Sequence, residues 1–250
     1  DNMAQDKVAL ITGGTGDIGT AIVKRLNSFY TQVIALDVVA DDVGQAWQKD
    51  MHKQGYHHAY FQTTDVTDYK ACQAVIHHIQ QTHGRIDALI NNAGITRDAV
   101  FHKMTKAQWD AVLSVNLDGM FNMTQPVVQL MREQQSGRIV NISSVNAQKG
   151  QFSQANYAAA KAGIYGFTKS LAQELMLKKI TVNSVSPGYV DTHLMKNIRP
   201  DILADIIKAI PAQRLAHPDE IAWAVSFLIA DESAYITGAN LSINGGLHMY

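Results

Sequence analysis

The 250 residues carry 21 Lys and Arg against 22 Asp and Glu, a formal net charge of −1, so no overall field recruits nucleic acid or an anionic membrane. The length suits one large α/β domain, and with no Pro/Gly/Ser-rich linker or charge block to divide it, a single domain over 1–250 is expected. The lone cysteine, Cys72, excludes an intramolecular disulfide framework and a Cys-based zinc site, and no apolar run reaches the roughly 18 residues that span a bilayer.

The opening DNMAQDK lacks the apolar segment of a secretory leader, so the expected location is the cytoplasm. Short apolar runs then alternate with longer amphipathic segments, the pattern of βαβ units and of a parallel sheet covered by helices on both faces. Strands are expected at 8–12, 33–37, 60–64, 88–91, 139–143, 181–186 and 241–243. Helices between them show apolar residues at three- and four-residue spacing, for example Ile22, Leu26 and Phe29, or Ile221, Val225 and Leu228.

The first strand runs straight into TGGTGDIG, from Thr12 to Gly19. Glycines there permit a tight turn and close approach of backbone to a pyrophosphate, while the opening helix offers free N–H groups and a favourable dipole. Its place between a first strand and an amphipathic helix marks it as a dinucleotide site. Asp37 closes the second strand, where a carboxylate accepts hydrogen bonds from the adenosine ribose and repels a 2′-phosphate. With no Arg or Lys in the glycine-rich loop or just after Asp37, NAD(H) is favoured, with NADP(H) as the alternative.

The third strand ends at Thr64-Asp65-Val66, with Asp65 placed for the adenine amino group, and the fourth gives Asn91-Asn92-Ala93-Gly94. Small and amide residues at strand ends let a cofactor lie against backbone. The pairs His57–His58 and His77–His78, with His83, read as solvated surface and not as a metal site. Adjacent helical positions face different sides, and no carboxylate or Cys pattern completes a ligand set.

In the stretch 141–169 an apolar strand ends in Ser143-Ser144, and a helix opens with Tyr157 and Lys161 on one face. A free Tyr has a pKa of about 10, so a phenol used as an acid or base near neutrality needs help, and a nearby ammonium stabilises its anion. Ser144 can supply a hydroxyl to the same reacting oxygen, and the three groups together can hand a proton to a carbonyl. The Tyr-x-x-x-Lys spacing alone is unspecific; its weight comes from the rest of the chain.

Taken in order, the glycine-rich turn, Asp65, NNAG at 91–94, Asn116, Ser144, Tyr157-x-x-x-Lys161 and Pro187-Gly188 resemble the short-chain dehydrogenase/reductase family over essentially the whole length. The resemblance implies a Rossmann-type doubly wound sheet of seven parallel strands with helices on both faces, and hydride transfer between nicotinamide and a carbonyl or alcohol. It makes Tyr157 the proton donor and has Ser144 hold the same oxygen. Lys161 binds the nicotinamide ribose and lowers the Tyr157 pKa, and Asn116 positions a water that links Lys161 to a proton relay. Cofactor contacts carry over to Gly13, Thr15, Gly16, Asp17, Ile18, Gly19, Asp37, Asp65, Val66, Asn92, Ala93, Gly94, Tyr157, Lys161, Pro187, Gly188, Val190 and Thr192. The segment around 190–211, with Met195, Ile198, Leu203, Ile206 and Ile207, is implied to be a substrate lid. Ala158, Ala162, Gly163 and Gly166 along the Tyr157 helix suit close helix contact, and a homotetramer is implied.

Within the family, GITRD at 94–98, SVNAQKGQFSQANY at 144–157, SPGY at 186–189 and INGGLHM at 243–249 resemble most the acetoacetyl-CoA reductases of polyhydroxybutyrate synthesis. The 3-oxoacyl-[acyl-carrier-protein] reductases are the alternative. The implied acyl-CoA pocket comprises Asp98, Lys103, Ser144, Gln151, Phe152, Gln154, Tyr157, Gly188 and Tyr189, a set suited to a short polar acyl chain. A carrier-protein reductase needs a basic patch for its acidic partner. Here 131–137 has one Arg beside a Glu, partly restored by Lys178-Lys179, so the choice leans to CoA. The expected reaction is reduction of a 3-oxoacyl-CoA, acetoacetyl-CoA first, to the (3R)-3-hydroxyacyl-CoA. A nucleotide-sensing scaffold without catalysis is the non-enzyme alternative; the four filled catalytic positions speak against it.

Two positions depart from the family's habit. Asp17 stands where the middle glycine is usual, adding a Cβ and a negative charge near the pyrophosphate path, and is read as a helix N-cap with Gly16 absorbing the turn. Asp37 stands in a subfamily usually taken to use NADPH, and the residue is given precedence.

Overall fold

The computed structural model describes residues 7–249, so both ends of the expected 1–250 domain lie outside the described residues. Val8–Thr12 (β1) and Ile180–Pro187 (β6) have every position buried, as strands covered on both faces require. The other strands are Gln32–Asp37 (β2), Ala59–Thr63 (β3), Ala88–Asn91 (β4), Gly137–Ile142 (β5) and Asn240–Ile243 (β7). All seven pair in parallel in the order β3-β2-β1-β4-β5-β6-β7. The chain runs outward from β1 to β3 and then returns to β4 on the other side of β1. That reversal opens a crevice beyond the carboxyl ends of β1 and β4, the usual ligand position in such sheets.

The helices are Asp17–Leu26 (α1), Asp41–Lys53 (α2), Tyr69–His83 (α3), Lys106–Leu113 (α4), Gly119–Gln134 (α5), Val145–Lys149 (α6), Ala155–Leu175 (α7), His193–Lys196 (α8), Pro200–Ala209 (α9) and Pro218–Ile229 (α10). Alternation along β1 sends Ala9 and Ile11 to one core, with Ile22 and Leu26 of α1 and Val225 and Leu228 of α10. Val8 and Leu10 go to the other, with Ile76 of α3, Met123 and Val127 of α5 and Leu175 of α7.

β1 and β4 have the expected bounds. The other strands differ by one or two residues at one or both ends; β2 and β5 start early because pairing takes in Gln32 and Gly137, polar or small residues that an apolar pattern does not mark. Phe29, expected as the next position of the α1 stripe, lies beyond the end of the helix and is 52% exposed. Among the described residues no helix is long and apolar enough to cross a membrane, and no three His, Cys, Asp or Glu side chains are grouped to hold a metal ion.

Candidate active site

The crevice is a groove of about 370 Å³ whose floor is the glycine-rich turn and whose walls include Asp37, Asp65, Gly94 and Thr192. Gly13 takes a left-handed φ of +61° and lies against Ala93, where a Cβ would be 3.0 Å from the Ala93 Cα. Gly16 is the N-cap of α1 and brings no side chain to it, so the helix terminus is open to an anion. Thr15 N–H (3.1 Å) and Oγ1 (2.6 Å) donate to Asp37 Oδ2, and Val38 N–H donates to Oδ1 (2.8 Å). The carboxylate is thereby held at the groove wall. A glycine floor, an open helix terminus and a fixed carboxylate fit a nicotinamide dinucleotide, whose pyrophosphate α1 would hold and whose ribose Asp37 would hold.

Two of the expected cofactor residues, Asn92 and Asp65, line the groove and also make contacts within the protein. Asn92 Nδ2 donates to Thr12 O and Gly13 O, both at 3.1 Å, while the Asn92 and Ala93 N–H groups donate to Thr12 Oγ1, both at 3.0 Å. The Asn92 side chain therefore knits the glycine-rich turn to β4. Asp65 Oδ1 accepts from Thr67 N–H (2.8 Å) and Oγ1 (2.7 Å), which fixes the turn after β3. Asp17 corrects the expectation of an N-cap. It is the first residue of α1, because the extended backbone of Gly16 already occupies the cap position. Its carboxylate instead accepts from His193 N–H (2.8 Å) and His193 Nδ1 (2.7 Å).

A second pocket of about 650 Å³ adjoins the groove at the carboxyl end of β5. Ser144 caps α6, with Asn146 N–H donating to its Oγ (3.1 Å). Lys161 is 3% exposed; its Nζ donates to Ile142 O (2.8 Å) and lies 5.8 Å from the centre of the Tyr157 ring. Ser143 Oγ donates to Lys161 O (2.8 Å), which binds α7 to the end of β5. Burial pushes the Lys161 ammonium down to about 8. Burial also carries the Tyr157 phenol above its ordinary value, opposed by the Ser144 hydroxyl and reinforced by Asp98 and Tyr165. The net direction is upward because burial outweighs the lowering from the Ser144 hydroxyl; a lowering by Lys161, expected from the spacing, is not among the causes.

Asn116 lies in a π-helical turn, Ser114–Asp118, between α4 and α5, a local widening often found at functional sites. Its Nδ2 donates to Ile95 O (2.9 Å) and Val112 O (2.8 Å), and its Oδ1 is buried with no partner among the described residues. Gly94 makes room for that oxygen: a Cβ there would be 2.7 Å from Asn116 Oδ1 and 3.4 Å from Lys161 Nζ. A cavity of about 10 Å³ between Thr12, Asn91, Asn116 and Lys161 has the size of one water.

Of the expected substrate residues, Asp98, Ser144, Gln154, Tyr157, Gly188 and Tyr189 line the second pocket. Gln154 Nε2 donates to Asp98 Oδ2 (2.9 Å) and Gln154 Oε1 accepts from Asn146 Nδ2 (2.9 Å), so the amide is oriented. Gln151, Phe152 and Lys103 are not part of that lining. Gln151 Oε1 accepts from Lys149 Nζ (2.6 Å), Phe152 is 80% exposed, and Lys103 ends an exposed 3₁₀ turn. Met195 and Ile198 of the expected lid line the pocket; residues beyond the expected set are Leu194 on the same apolar wall, and the buried amide chain in which Asn91 Nδ2 donates to Asn141 Oδ1 (2.8 Å) and Asn141 Nδ2 to Thr168 Oγ1 (3.0 Å). An Asn inside each of two apolar strands was the signal for the amide chain.

The short chain dehydrogenase family profile matches residues 7–203. The acetoacetyl-CoA reductase of Allochromatium vinosum is 48% identical over 98% of this chain and 99% of its own, and that of an Acinetobacter strain 48% over 99% and 100%. The 3-oxoacyl-[acyl-carrier-protein] reductase of Thermotoga maritima is 40% identical over 97% and 98%. With the switch-point groove, the glycine floor and the Ser144–Tyr157–Lys161 arrangement in place, the chain belongs to the short chain dehydrogenase family of NAD(P)H-dependent oxidoreductases.

Proposed function

We propose that the chain reduces a short 3-oxoacyl-CoA, acetoacetyl-CoA first, to the (3R)-3-hydroxyacyl-CoA, with NADH as the preferred reductant. The observation that carries the reading is geometric: Ser144, Tyr157 and Lys161 line one pocket with the oriented Gln154–Asp98 pair, and that pocket adjoins the dinucleotide groove. Tyr157 donates its proton to the substrate oxygen as charge develops there, and the Ser144 hydroxyl shares that oxygen. A bound nicotinamide dinucleotide supplies the hydride. Lys161 holds the nicotinamide ribose, and the unpartnered Asn116 Oδ1 beside a water-sized cavity supports a role in passing a proton to Lys161.

Asp37, fixed by Thr15 and Val38, supports NADH over NADPH by presenting charge where a 2′-phosphate would lie. The oriented pair Gln154 and Asp98 with Tyr189 suits a short polar acyl group, and the likeness to acetoacetyl-CoA reductases points to the CoA thioester. Leu194, Met195 and Ile198 on the pocket wall support the segment 190–211 as its lid. A single-domain cytoplasmic homotetramer is proposed on the family resemblance. A kinetic panel tests the reading: kcat/KM for acetoacetyl-CoA and for a carrier-linked 3-oxoacyl substrate, each with NADH and NADPH. Better turnover of the carrier-linked substrate would assign the chain to fatty-acid synthesis instead, and preference for NADPH would overturn the role given to Asp37.

A further inference from the structure

A carboxylate at the first turn of α1 is a liability in a dinucleotide site. It adds negative charge at the helix end where the pyrophosphate sits, and it competes for the same dipole. Asp17 does not face that path unpartnered. Each of its oxygens accepts one hydrogen bond from the same residue, Oδ2 from the His193 N–H (2.8 Å) and Oδ1 from His193 Nδ1 (2.7 Å). A carboxylate can only accept, so Nδ1 carries the hydrogen whether the ring is neutral or charged.

The placement of the pair matters as much as its chemistry. Asp17 belongs to the groove floor, and His193 follows Thr192, a residue of the groove wall, at the start of α8. The next residues, Leu194 and Met195, line the catalytic pocket. The Asp17–His193 contact therefore joins the glycine-rich turn to the segment that lines both cavities, across 176 positions of sequence.

We propose that His193 is a positioning residue for dinucleotide binding: it draws the Asp17 carboxylate off the pyrophosphate path and clasps the post-β6 segment to the glycine-rich turn. Asp17 is then tolerated only with His193 present, and His193 matters to cofactor affinity only where Asp17 stands at the groove floor. The His193 side chain is 84% exposed and its removal leaves the core untouched, so its variants are expected to fold.

A double-mutant cycle on cofactor binding isolates the coupling. NADH dissociation constants would be measured by fluorescence titration for the unaltered protein, H193A, D17G and the double variant. H193A is expected to bind about tenfold more weakly, D17G to stay within about threefold, and H193A added to D17G to change nothing further. H193N, whose amide can donate from near the Nδ1 position, should recover most of the loss. An equal loss from H193A in both backgrounds, no loss in either, or an H193N protein as weak as H193A would overturn the proposal. NADPH is titrated in parallel; if it binds tighter, the preference assigned to Asp37 fails while the cycle is read on that nucleotide unchanged.

Discussion

Lys161, which lines the catalytic pocket, and Asn116, which shares the water-sized cavity with it, are 3% and 2% exposed, whereas Phe152, in the loop before α7, is 80% exposed and α9 has no fully buried residue. The floor is tied to the sheet: Lys161 donates to the last residue of β5, and Ser143 donates back to the Lys161 carbonyl. The mouth is held by contacts between side chains, such as Lys149 and Tyr189 donating to Gln151. Groups that must meet a reacting atom within a fraction of an ångström are fixed by the folding core, while groups that choose the acyl partner ride on surface elements. Changes at the floor should therefore act on kcat, and changes at the mouth on KM.

The largest break of that contrast is at Tyr157. Tyr157→Phe removes the proton donor and leaves the ring, so kcat should fall by about 10³-fold while the NADH dissociation constant stays within about threefold. An active Tyr157→Phe protein would refute the proton-donor role.

Lys161 sharpens the same side through pH. Its ammonium titrates near 8, so reductive kcat/KM should decline as pH rises through about 8, approaching tenfold per unit where the loss is complete. A profile flat to pH 10 would show that the charge on Lys161 is not needed. Stability should move the opposite way. Between about 8 and the unfolded value of 10.5 the native state binds fewer protons than the unfolded chain, so stability contributed by this site rises with pH. Relative to Lys161→Met, the unaltered protein should gain on the order of 3 kcal/mol across that window, read by denaturant unfolding at each pH.

Asp37 lies between the two extremes, at the groove wall but fixed by three hydrogen bonds. Asp37→Ser removes the charge and keeps a short polar group. The ratio of kcat/KM for NADPH over NADH should rise by roughly tenfold or more, with kcat at saturating cofactor little changed. An unchanged ratio would remove the carboxylate from nucleotide choice.

The same contrast explains what the sequence made legible. Strand ends and the shared helix face of Tyr157 and Lys161 follow from sheet and helix periodicity, whereas their reading as a site rests on the ordered motifs that resemble the family; Asn92, Gly94, Ser143, Ser144, Tyr157 and Lys161 all line the second pocket. The π turn at Asn116 has no periodic signature, since one widened turn shifts register without altering composition. Asp17 was misread because a good capping residue beside glycines suggests a cap, whereas the partner that decides its role, His193, is remote in sequence. The net direction at Tyr157 depends on burial, which spacing to Lys161 cannot reveal.

The smallest expected effect tests the mouth itself. Phe152 shares no wall with the catalytic pocket, so it can bear on substrate only through the longer part of an acyl-CoA that extends out of it. Phe152→Ala should leave stability within about 0.5 kcal/mol and kcat unchanged, since an exposed ring supports no packing. KM for acetoacetyl-CoA should rise about threefold, from loss of apolar contact with the pantetheine arm, while KM for a truncated acetoacetyl thioester lacking that arm should not move. An equal rise for both substrates would place Phe152 against the acyl group and make the mouth part of the floor; no rise for either would remove Phe152 from recognition.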